Sequence, residues 1–396
     1  MNLVYVTSGF PYPLTSGYLR HYHLLARLAQ EHEIRLFSLV GRDHTDADRS
    51  AIEQLGVDVT TFAVRSTRWR RYGAQAARLA PMLVTGAAAD LRRAVRTCVD
   101  SGWPDAAVVS GKTTSGVLST LRDVPLLVDA CDATSMRLES QMSDRGRAER
   151  VLAELELRAM RWVERTMLRQ ADHVVVASRR DGEHLGWSDR MSVVPNGVDT
   201  DYWHRRSTQR PVDTVIFTGK MSYAPNEDAA LRIIDEVWPI VRGRHPDAQL
   251  MIVGTSPGQR LVDAGSRDGV TVTGRVDDMR DYLDAATVFA APIRYGAGIQ
   301  NKLLEALSMQ VPVVASSNAT NGLMLDGDEP PVRSTDDLTT MAELIIGELD
   351  AARSDPAAPE ALRTWVAERF DWDRSASRVD AILHQLSSDD RAERTS

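Results

Sequence analysis

Two short apolar runs, joined by a glycine loop and an amphipathic helix, constrain the fold of this chain most strongly. The runs are Val288–Ala291 and Val311–Ala315, and PIRYGAGIQNKLLEALSMQ lies between them. This order predicts a strand, a loop, a helix and a second strand. Strands that alternate with helices are typical of a parallel sheet with helices packed on its faces.

The same loop predicts a binding site. Gly296 and Gly298 permit backbone N–H groups to approach an anion closely, and the N-terminus of the next helix adds its positive dipole end. On that helix, Lys302 is a cation that can reach a phosphate, and Glu305 is an acceptor for a pair of ribose hydroxyls. These residues together indicate a nucleotide.

The alternation extends over the whole chain and divides it into two halves. We predict an N-terminal domain over residues 1–196, a second over 197–368, and a C-terminal segment over 369–396. The predicted fold is α/β, with two Rossmann-like, doubly wound parallel sheets that face a central cleft. Ligands of open α/β sheets bind at the carboxyl ends of the strands.

Composition excludes several classes of protein. The 396 residues are 43% apolar, enough for two or three globular domains, and a net charge of -8 argues against a general nucleic-acid binder. Cys98 and Cys131 share no motif spacing, and the nine histidines show no metal-ligand pattern, so we predict no metal site. The N-terminus has no secretion signal and no long apolar run occurs, so we expect a cytoplasmic protein.

Several ordered motifs resemble one enzyme family. VVASRRDGEHL and VVPNGVDTDYW, then FTGKMSYAPNEDAALRIIDEVWPIV, HPDAQLMIVG and VTVTGRVDDMRDYLDAA, are similar to the retaining, nucleotide-sugar-dependent glycosyltransferases of family 4. That family has the GT-B fold, and the resemblance implies that the segment over 369–396 crosses back to the first domain. The loop GAGIQNKLLEA is most similar to a bacterial subgroup that transfers sugars in exopolysaccharide and envelope synthesis. The resemblance is weakest over residues 41–105.

The resemblance implies roles in the second half. Glu305 matches the second glutamate of an E-x7-E motif, which holds the donor ribose, while Ala297 replaces the first, which contacts the transferred sugar. Lys220 and Lys302 match cationic contacts to the donor diphosphate. The remaining predicted donor contacts are Gly219, Gly296, Gly298, Ile299, Gln300 and Asn301.

In the first half, the resemblance implies that Ser16 and Gly17 form a loop against the donor, and that Arg20 faces the same cleft. Asp132 stands where the family has a histidine, so we count it with Lys220 and Lys302 as a candidate catalytic residue. An alternative function for Asp132 is to cap a helix that begins near Ser135.

The resemblance implies a hydroxyl acceptor, a UDP- or GDP-sugar donor, retention of configuration, and no cofactor or metal. The sequence contains no evident protein nucleophile, which favours front-face transfer. The acceptor is open between a lipid-linked glycan and a soluble small molecule. A basic segment over residues 65–78 contacts an anionic membrane or is a solvated helix face, so the protein is cytoplasmic or peripheral at the inner membrane.

Two other functions are compatible with parts of the pattern. A nucleotide-sugar epimerase shares the fold but uses carboxylates and histidines as acid and base. A non-catalytic nucleotide-sugar binder would tolerate Ala297 in place of the glutamate, although Lys302 and Glu305 argue against it.

Overall fold

The computed structural model describes residues 1–14, 18–64, 86–142, 147–207, 213–296, 298–325, 327–355, 357 and 359–395. The chain forms two compact units. Unit 1 comprises Met1–Pro195 together with Trp372–Ser396, and unit 2 comprises Asn196–Asp371. The C-terminal segment therefore belongs to the first unit, although the second unit precedes it in the chain.

Unit 1 is built on a seven-stranded parallel sheet with the order β3-β2-β1-β4-β5-β6-β7. Its strands are β1 (Asn2–Thr7), β2 (Glu33–Val40), β3 (Asp58–Ala63), β4 (Ala106–Ser110), β5 (Leu126–Cys131), β6 (His173–Val176) and β7 (Met191–Val193). The inner strands are almost continuously apolar and buried, as parallel strands covered on both faces must be.

Helices cover both faces of this sheet and bury two apolar clusters against it. They are α1 (Leu19–Leu28), α2 (Asp46–Glu53), α3 (Gly86–Asp100), a 3₁₀ segment (Lys112–Thr120), α4 (Thr134–Ser140), α5 (Arg147–Gln170) and α6 (Arg179–Leu185). One of the two clusters joins α1 to Ala376, Val379 and Leu383 of the C-terminal helix. Apolar burial therefore fixes that helix to unit 1.

Unit 2 has a six-stranded parallel sheet with the order β10-β9-β8-β11-β12-β13. The strands are β8 (Thr214–Thr218), β9 (Gln249–Val253), β10 (Val270–Val272), β11 (Val288–Ala291), β12 (Val313–Ala315) and β13 (Arg333–Ser334). Its helices are α7 (Ala224–Arg232), a π segment (Ile233–Val237), α8 (Trp238–Arg244), α9 (Gln259–Ala264), α10 (Met279–Asp284), α11 (Asn301–Ser308), α12 (Ser317–Thr320), a 3₁₀ turn (Asn321–Leu323), α13 (Leu338–Ser354) and α14 (Glu360–Arg369). The last helix of the chain is α15 (Trp372–Thr395).

The predicted doubly wound α/β class is confirmed. Helix α7, the π segment and α8 follow one another without a break, and α8 begins with Pro239 in its first turn. Proline has no N–H and its ring clashes with the carbonyl four residues before it, so the wider turn relieves both problems. Helix α15 extends to Thr395 and contains neither glycine nor proline.

None of the helices in the described ranges combines the length and apolar composition that crossing a membrane requires.

Candidate functional site

The sheet of unit 2 reverses its strand order between β8 and β11, which are parallel neighbours. Side chains that follow these two strands therefore meet at one edge of the sheet, the position where open α/β sheets bind ligands. Gly219 follows β8, while the predicted glycine loop follows β11 and leads into α11. The structure brings these two segments of the prediction together.

Close backbone contact shapes this edge. A Cβ added to Gly254, which follows β9, would lie 1.8 Å from the carbonyl oxygen of Gly219, so only glycine fits there. Gly298 has φ 73, a left-handed conformation that glycine adopts without strain. Glycine is therefore required where the loops after β8 and β9 meet, and it suits the loop after β11.

Lys302 lies in the first turn of α11, and its ammonium is held beside the Gly219 backbone. Its Nζ donates to Asn226 Oδ1, and lies 5.0 Å from the centroid of the Phe217 ring. The Asn226 side chain in turn donates from Nδ2 to the Lys220 carbonyl oxygen at 3.0 Å. An amide fixed by β8 and α7 thus positions the cation at the edge of the sheet.

Glu305 lies three residues beyond Lys302, on the same side of the helix. No described residue donates a hydrogen bond to its carboxylate. Desolvation raises the pKa of Glu305 to about 7, and the nearby Lys302 charge offsets part of this shift. Desolvation likewise lowers the pKa of Lys302 to about 8, offset in part by Glu305. The pair is therefore poised to change charge near neutral pH.

The other predicted contacts lie in the same loop, at its junction with α11, or after β8. Ile299 is buried, Gln300 is the N-cap residue of α11, and Asn301 Oδ1 accepts from Asn196 Nδ2 at 3.1 Å. Gly296 is buried in the same loop, whereas Lys220 is exposed. Donor contact by each of these residues stays a prediction. Ala297 lies outside the described residues.

In unit 1, Asp132 follows β5 and is held by a lysine. Lys112 Nζ donates to the Ala130 carbonyl at 2.8 Å, the Asp132 carbonyl at 2.7 Å and Asp132 Oδ1 at 3.3 Å. Burial disfavours charge on Lys112, but the fields of Asp132 and Glu164 outweigh it and the pKa is raised. Ala133 is the N-cap of α4, so the alternative that Asp132 caps this helix is wrong.

Arg20 is buried within unit 1, where its Nε and Nη1 have hydrogen-bond partners. Its Nε donates to Asp129 Oδ2 at 2.8 Å, in an ion pair whose two side chains are 3% and 1% exposed. Its Nη1 donates to the Val194 and Pro195 carbonyl oxygens at 2.9 and 3.2 Å. These contacts tie α1 to β5 and to the end of β7, and the predicted donor contact of Arg20 stays a prediction.

Besides Ala297, three further features of the prediction lie outside the described residues. They are Ser16, Gly17 and the basic segment 65–78.

Two residues of these sites escaped the sequence reasoning. Asn226, which holds Lys302, follows Pro225 in the first turn of α7. Lys112, which holds Asp132, comes two residues after β4. Both positions follow a strand at the reversal of its sheet, so strand order would have identified them, but strand order is not readable from a single sequence.

Fold and site together define a nucleotide-binding protein of two doubly wound domains. Two family profiles then name the class. One, described as "Glycosyl transferase 4-like domain", matches residues 18–197, and the other, "Glycosyl transferases group 1", matches residues 212–350. The two matches together cover most of the chain, and the chain belongs to this glycosyltransferase family. The family is retaining, uses nucleotide-sugar donors and needs no metal ion.

A curated relative and several solved structures agree with this class. Alpha-maltose-1-phosphate synthase of Mycolicibacterium smegmatis is 28% identical over 266 residues, which cover 57% of this chain and 66% of the relative, just under two thirds of its length. Anabaena HepE in complex with UDP and glucose superposes with a TM-score of 0.66 at 14% identity, over 97% of this chain and 100% of that one.

Sucrose-phosphate synthase from Thermosynechococcus elongatus gives a TM-score of 0.67 at 14% identity, over 98% of this chain and 99% of that one. At such low identity these structures establish the fold, which is GT-B as predicted.

Proposed function

We propose that this glycosyltransferase binds a UDP-sugar on unit 2 and transfers the sugar to a hydroxyl acceptor. Lys302 and the Gly219 backbone hold the diphosphate, and Glu305 holds the ribose. The observation that supports this most directly is the environment of Lys302: a desolvated ammonium whose hydrogen-bond partner is a neutral amide.

Desolvating an ammonium is unfavourable unless an anion compensates for the lost water. Lys302 makes no ion pair with any described residue, and the field of Glu305 only partly opposes the fall in its pKa. A diphosphate would supply the missing negative charge and return the pKa of Lys302 toward its usual range. The N-terminus of α11 adds a favourable dipole for the same anion.

Glu305 presents the complementary case. Its carboxylate accepts no hydrogen bond from the described residues, and burial raises its pKa. Two adjacent ribose hydroxyls would donate to it and favour the ionised form. The spacing of three residues places the two groups one helical turn apart, which suits a phosphate and a ribose of one nucleotide.

The choice of UDP rests on a relative. HepE binds UDP in its crystals, in one case with glucose and in another as UDP-glucose. The two chains share a fold, so we propose uridine as the base and leave glucose as the first sugar to test.

The chemistry follows from the charges. The acceptor oxygen forms a bond to the anomeric carbon while the bond from that carbon to the β-phosphate oxygen breaks. The bonding electron pair stays with the phosphate, whose growing negative charge is stabilised by Lys302 and by backbone N–H groups. The acceptor proton passes to a phosphate oxygen, so the front-face route requires no protein nucleophile.

Two parts of the proposal concern unit 1. We assign Asp132, held by Lys112, as a polar contact to the transferred sugar in place of the family histidine. We also keep two acceptor classes, a lipid-linked glycan and a soluble small molecule. The membrane contact proposed for residues 65–78 is tested by liposome sedimentation, in which binding that ignores anionic lipid would exclude it.

A panel of UDP- and GDP-sugars tests the function. The purified chain is incubated with each donor, with and without a cell extract as the source of acceptors, and products are identified by mass spectrometry. We expect release of UDP from one UDP-sugar, increased by extract and lost in Lys302→Met. Conversion of the sugar without UDP release would indicate an epimerase. Binding of UDP without any turnover would indicate a non-catalytic binder.

A further inference from the structure

A three-residue cluster far from the nucleotide edge has the composition of a metal site. His32 lies in the turn between α1 and β2, while Asp380 and His384 lie one turn apart on α15. All three belong to unit 1. Apolar packing of α15 on α1 brings together residues that are hundreds of positions apart in the sequence.

The three candidate ligand atoms converge. His32 Nε2 lies 2.6 Å from Asp380 Oδ1, and His384 Nε2 lies 3.6 Å from the same oxygen. One ligand atom from each residue lies within 4.8 Å of the other two. Ligands bound tetrahedrally at about 2.0–2.1 Å from a zinc ion are about 3.3 Å apart, so small side-chain rotations suffice to admit one.

The exposed fraction of the three side chains increases from His32 to Asp380 to His384. The His32 side chain is 2% exposed, that of Asp380 27% and that of His384 58%. A hydrogen bond from His32 to Asp380 would satisfy these two side chains without His384. The exposed His384 ring nevertheless faces the same carboxylate oxygen, and its centroid lies 5.8 Å from that of His32.

A cavity of about 150 Å³ opens beside the cluster. His32 and Asp380 line it, together with two further carboxylates, Glu31 and Asp373, and one cation, Arg27. The ion pair between Arg27 and Asp373 leaves a negative balance at its mouth. Such a field attracts a cation and leaves room for a water as the fourth ligand.

We propose that His32, Asp380 and His384 bind a divalent transition-metal ion of the zinc class. Two imidazoles and one carboxylate suit Zn²⁺, Co²⁺ or Ni²⁺, whereas Mg²⁺ and Ca²⁺ prefer oxygen ligands alone. The ion would connect the α1–β2 turn to α15 and so fasten the C-terminal helix to unit 1. It takes no part in sugar transfer, which needs no metal in this family.

Zinc binding is measured on the untagged full chain by equilibrium dialysis and isothermal titration calorimetry at pH 7.5. We expect roughly one ion per chain and a rise in the melting temperature with Zn²⁺ concentration, because a ligand of the folded state stabilises it. His384→Ala should weaken zinc binding by at least about tenfold, since losing even an outer-shell partner costs about 10–100-fold. His384 is exposed, so its removal leaves the fold intact.

His204→Ala is the matched control, because His204 is an exposed histidine of unit 2 outside the cluster. Zinc affinity of this variant should equal that of the unchanged chain. Equal zinc affinity in His384→Ala, or equal affinity for Mg²⁺ and Zn²⁺, would overturn the proposal. Transfer activity is not the readout, so failure here leaves the proposed function untouched.

Discussion

Each unit places a lysine beside the reversal of its sheet, and the two lysines have opposite surroundings. Lys112, after β4 of unit 1, donates to two carbonyl oxygens and a carboxylate. Lys302, after β11 of unit 2, donates to a neutral amide and makes no ion pair with a described residue. Protein charges raise the pKa of the first lysine, while burial lowers that of the second.

The difference separates charges that the protein itself compensates from charges that it leaves incompletely paired. Unit 1 also pairs the Nε and Nη1 of Arg20 internally, with Asp129 and with the carbonyls that follow β7. Unit 2 keeps an uncompensated cation and an unsatisfied carboxylate on one helix. A perturbed group at a binding edge therefore indicates function when its own protein leaves it incompletely paired.

Removing Arg20 should produce the largest effect, and that effect should be on stability. Arg20→Met leaves the buried Asp129 carboxylate without its partner, which costs about 3–5 kcal/mol in the free energy of unfolding. Urea denaturation measures the loss. The matched control is Arg27→Met on the same helix, whose ion pair with Asp373 is partly exposed and contributes only about 0–1 kcal/mol.

The outcome that contradicts this interpretation is equally specific. If Arg20→Met kept normal stability but lost affinity for UDP, the donor contact predicted from the sequence would be correct. The interpretation that Arg20 serves the structure of unit 1 would then be wrong.

Removing Lys302 should affect turnover rather than stability. Lys302→Met retains the apolar stem but removes the cation opposite the leaving diphosphate, so kcat/KM should fall about 10²–10³-fold. The free energy of unfolding should stay the same or rise slightly, since a desolvated charge is removed.

Lys220→Met is the matched control for this variant, because Lys220 is exposed and should cost about tenfold at most in kcat/KM. Near-normal transfer rates in both variants would show that the phosphate is bound elsewhere.

Glu305→Gln should weaken donor binding about ten- to hundredfold, because hydrogen bonds to a charged group contribute about 1.5–3 kcal/mol. The amide has the same shape, so stability should change little. Affinities for UDP and 2′-deoxy-UDP, measured by calorimetry, locate the effect. The substitution should cost less with the deoxy ligand, which has lost one hydroxyl, and an equal cost with both ligands would exclude a ribose role.

The smallest effect should be on pH dependence. In the proposed binding mode, affinity for UDP should be highest when Glu305 is ionised and Lys302 is protonated, and their pKa values in the free protein are about 7 and about 8. Affinity should therefore fall as pH drops through 7, where Glu305 gains a proton, and fall again as pH rises through 8, where Lys302 loses one. Calorimetry from pH 5.5 to 9.5 measures both limbs.

Each of the two falls in affinity, on the acid and on the alkaline side, has its own control variant. Lys302→Met should abolish the alkaline limb and Glu305→Gln the acid limb. A profile that kept its alkaline limb in Lys302→Met would assign that limb to another group.

The sequence predicted much of the fold because its signal is local. Apolar runs predicted most strands, and β11 has the limits of the predicted run Val288–Ala291. The region between residues 41 and 105 was predicted least well, and β3 and α3 were not anticipated. The π segment before Pro239 depends on how α7 and α8 pack, which periodicity does not record.

The same distinction between local and tertiary signals applies to the candidate site. Lys302 and Glu305 are neighbours on one helix, so a short motif was sufficient to pair them. Asn226 reaches Lys302 from a different helix 76 positions earlier, and only the strand order places it there. The true surroundings of Arg20 are likewise tertiary, because Asp129 and Pro195 come from distant parts of the chain.

The chain's return to unit 1 has a consequence for synthesis on the ribosome. Unit 2 is one continuous segment, whereas unit 1 needs Trp372, stacked on His23 at 4.6 Å, and Ser375, which donates to the Pro195 carbonyl at 2.8 Å. Those residues emerge only after the whole of unit 2. Unit 2 can therefore complete its fold during translation, while unit 1 must wait with an uncovered apolar face on α1 until α15 leaves the exit tunnel.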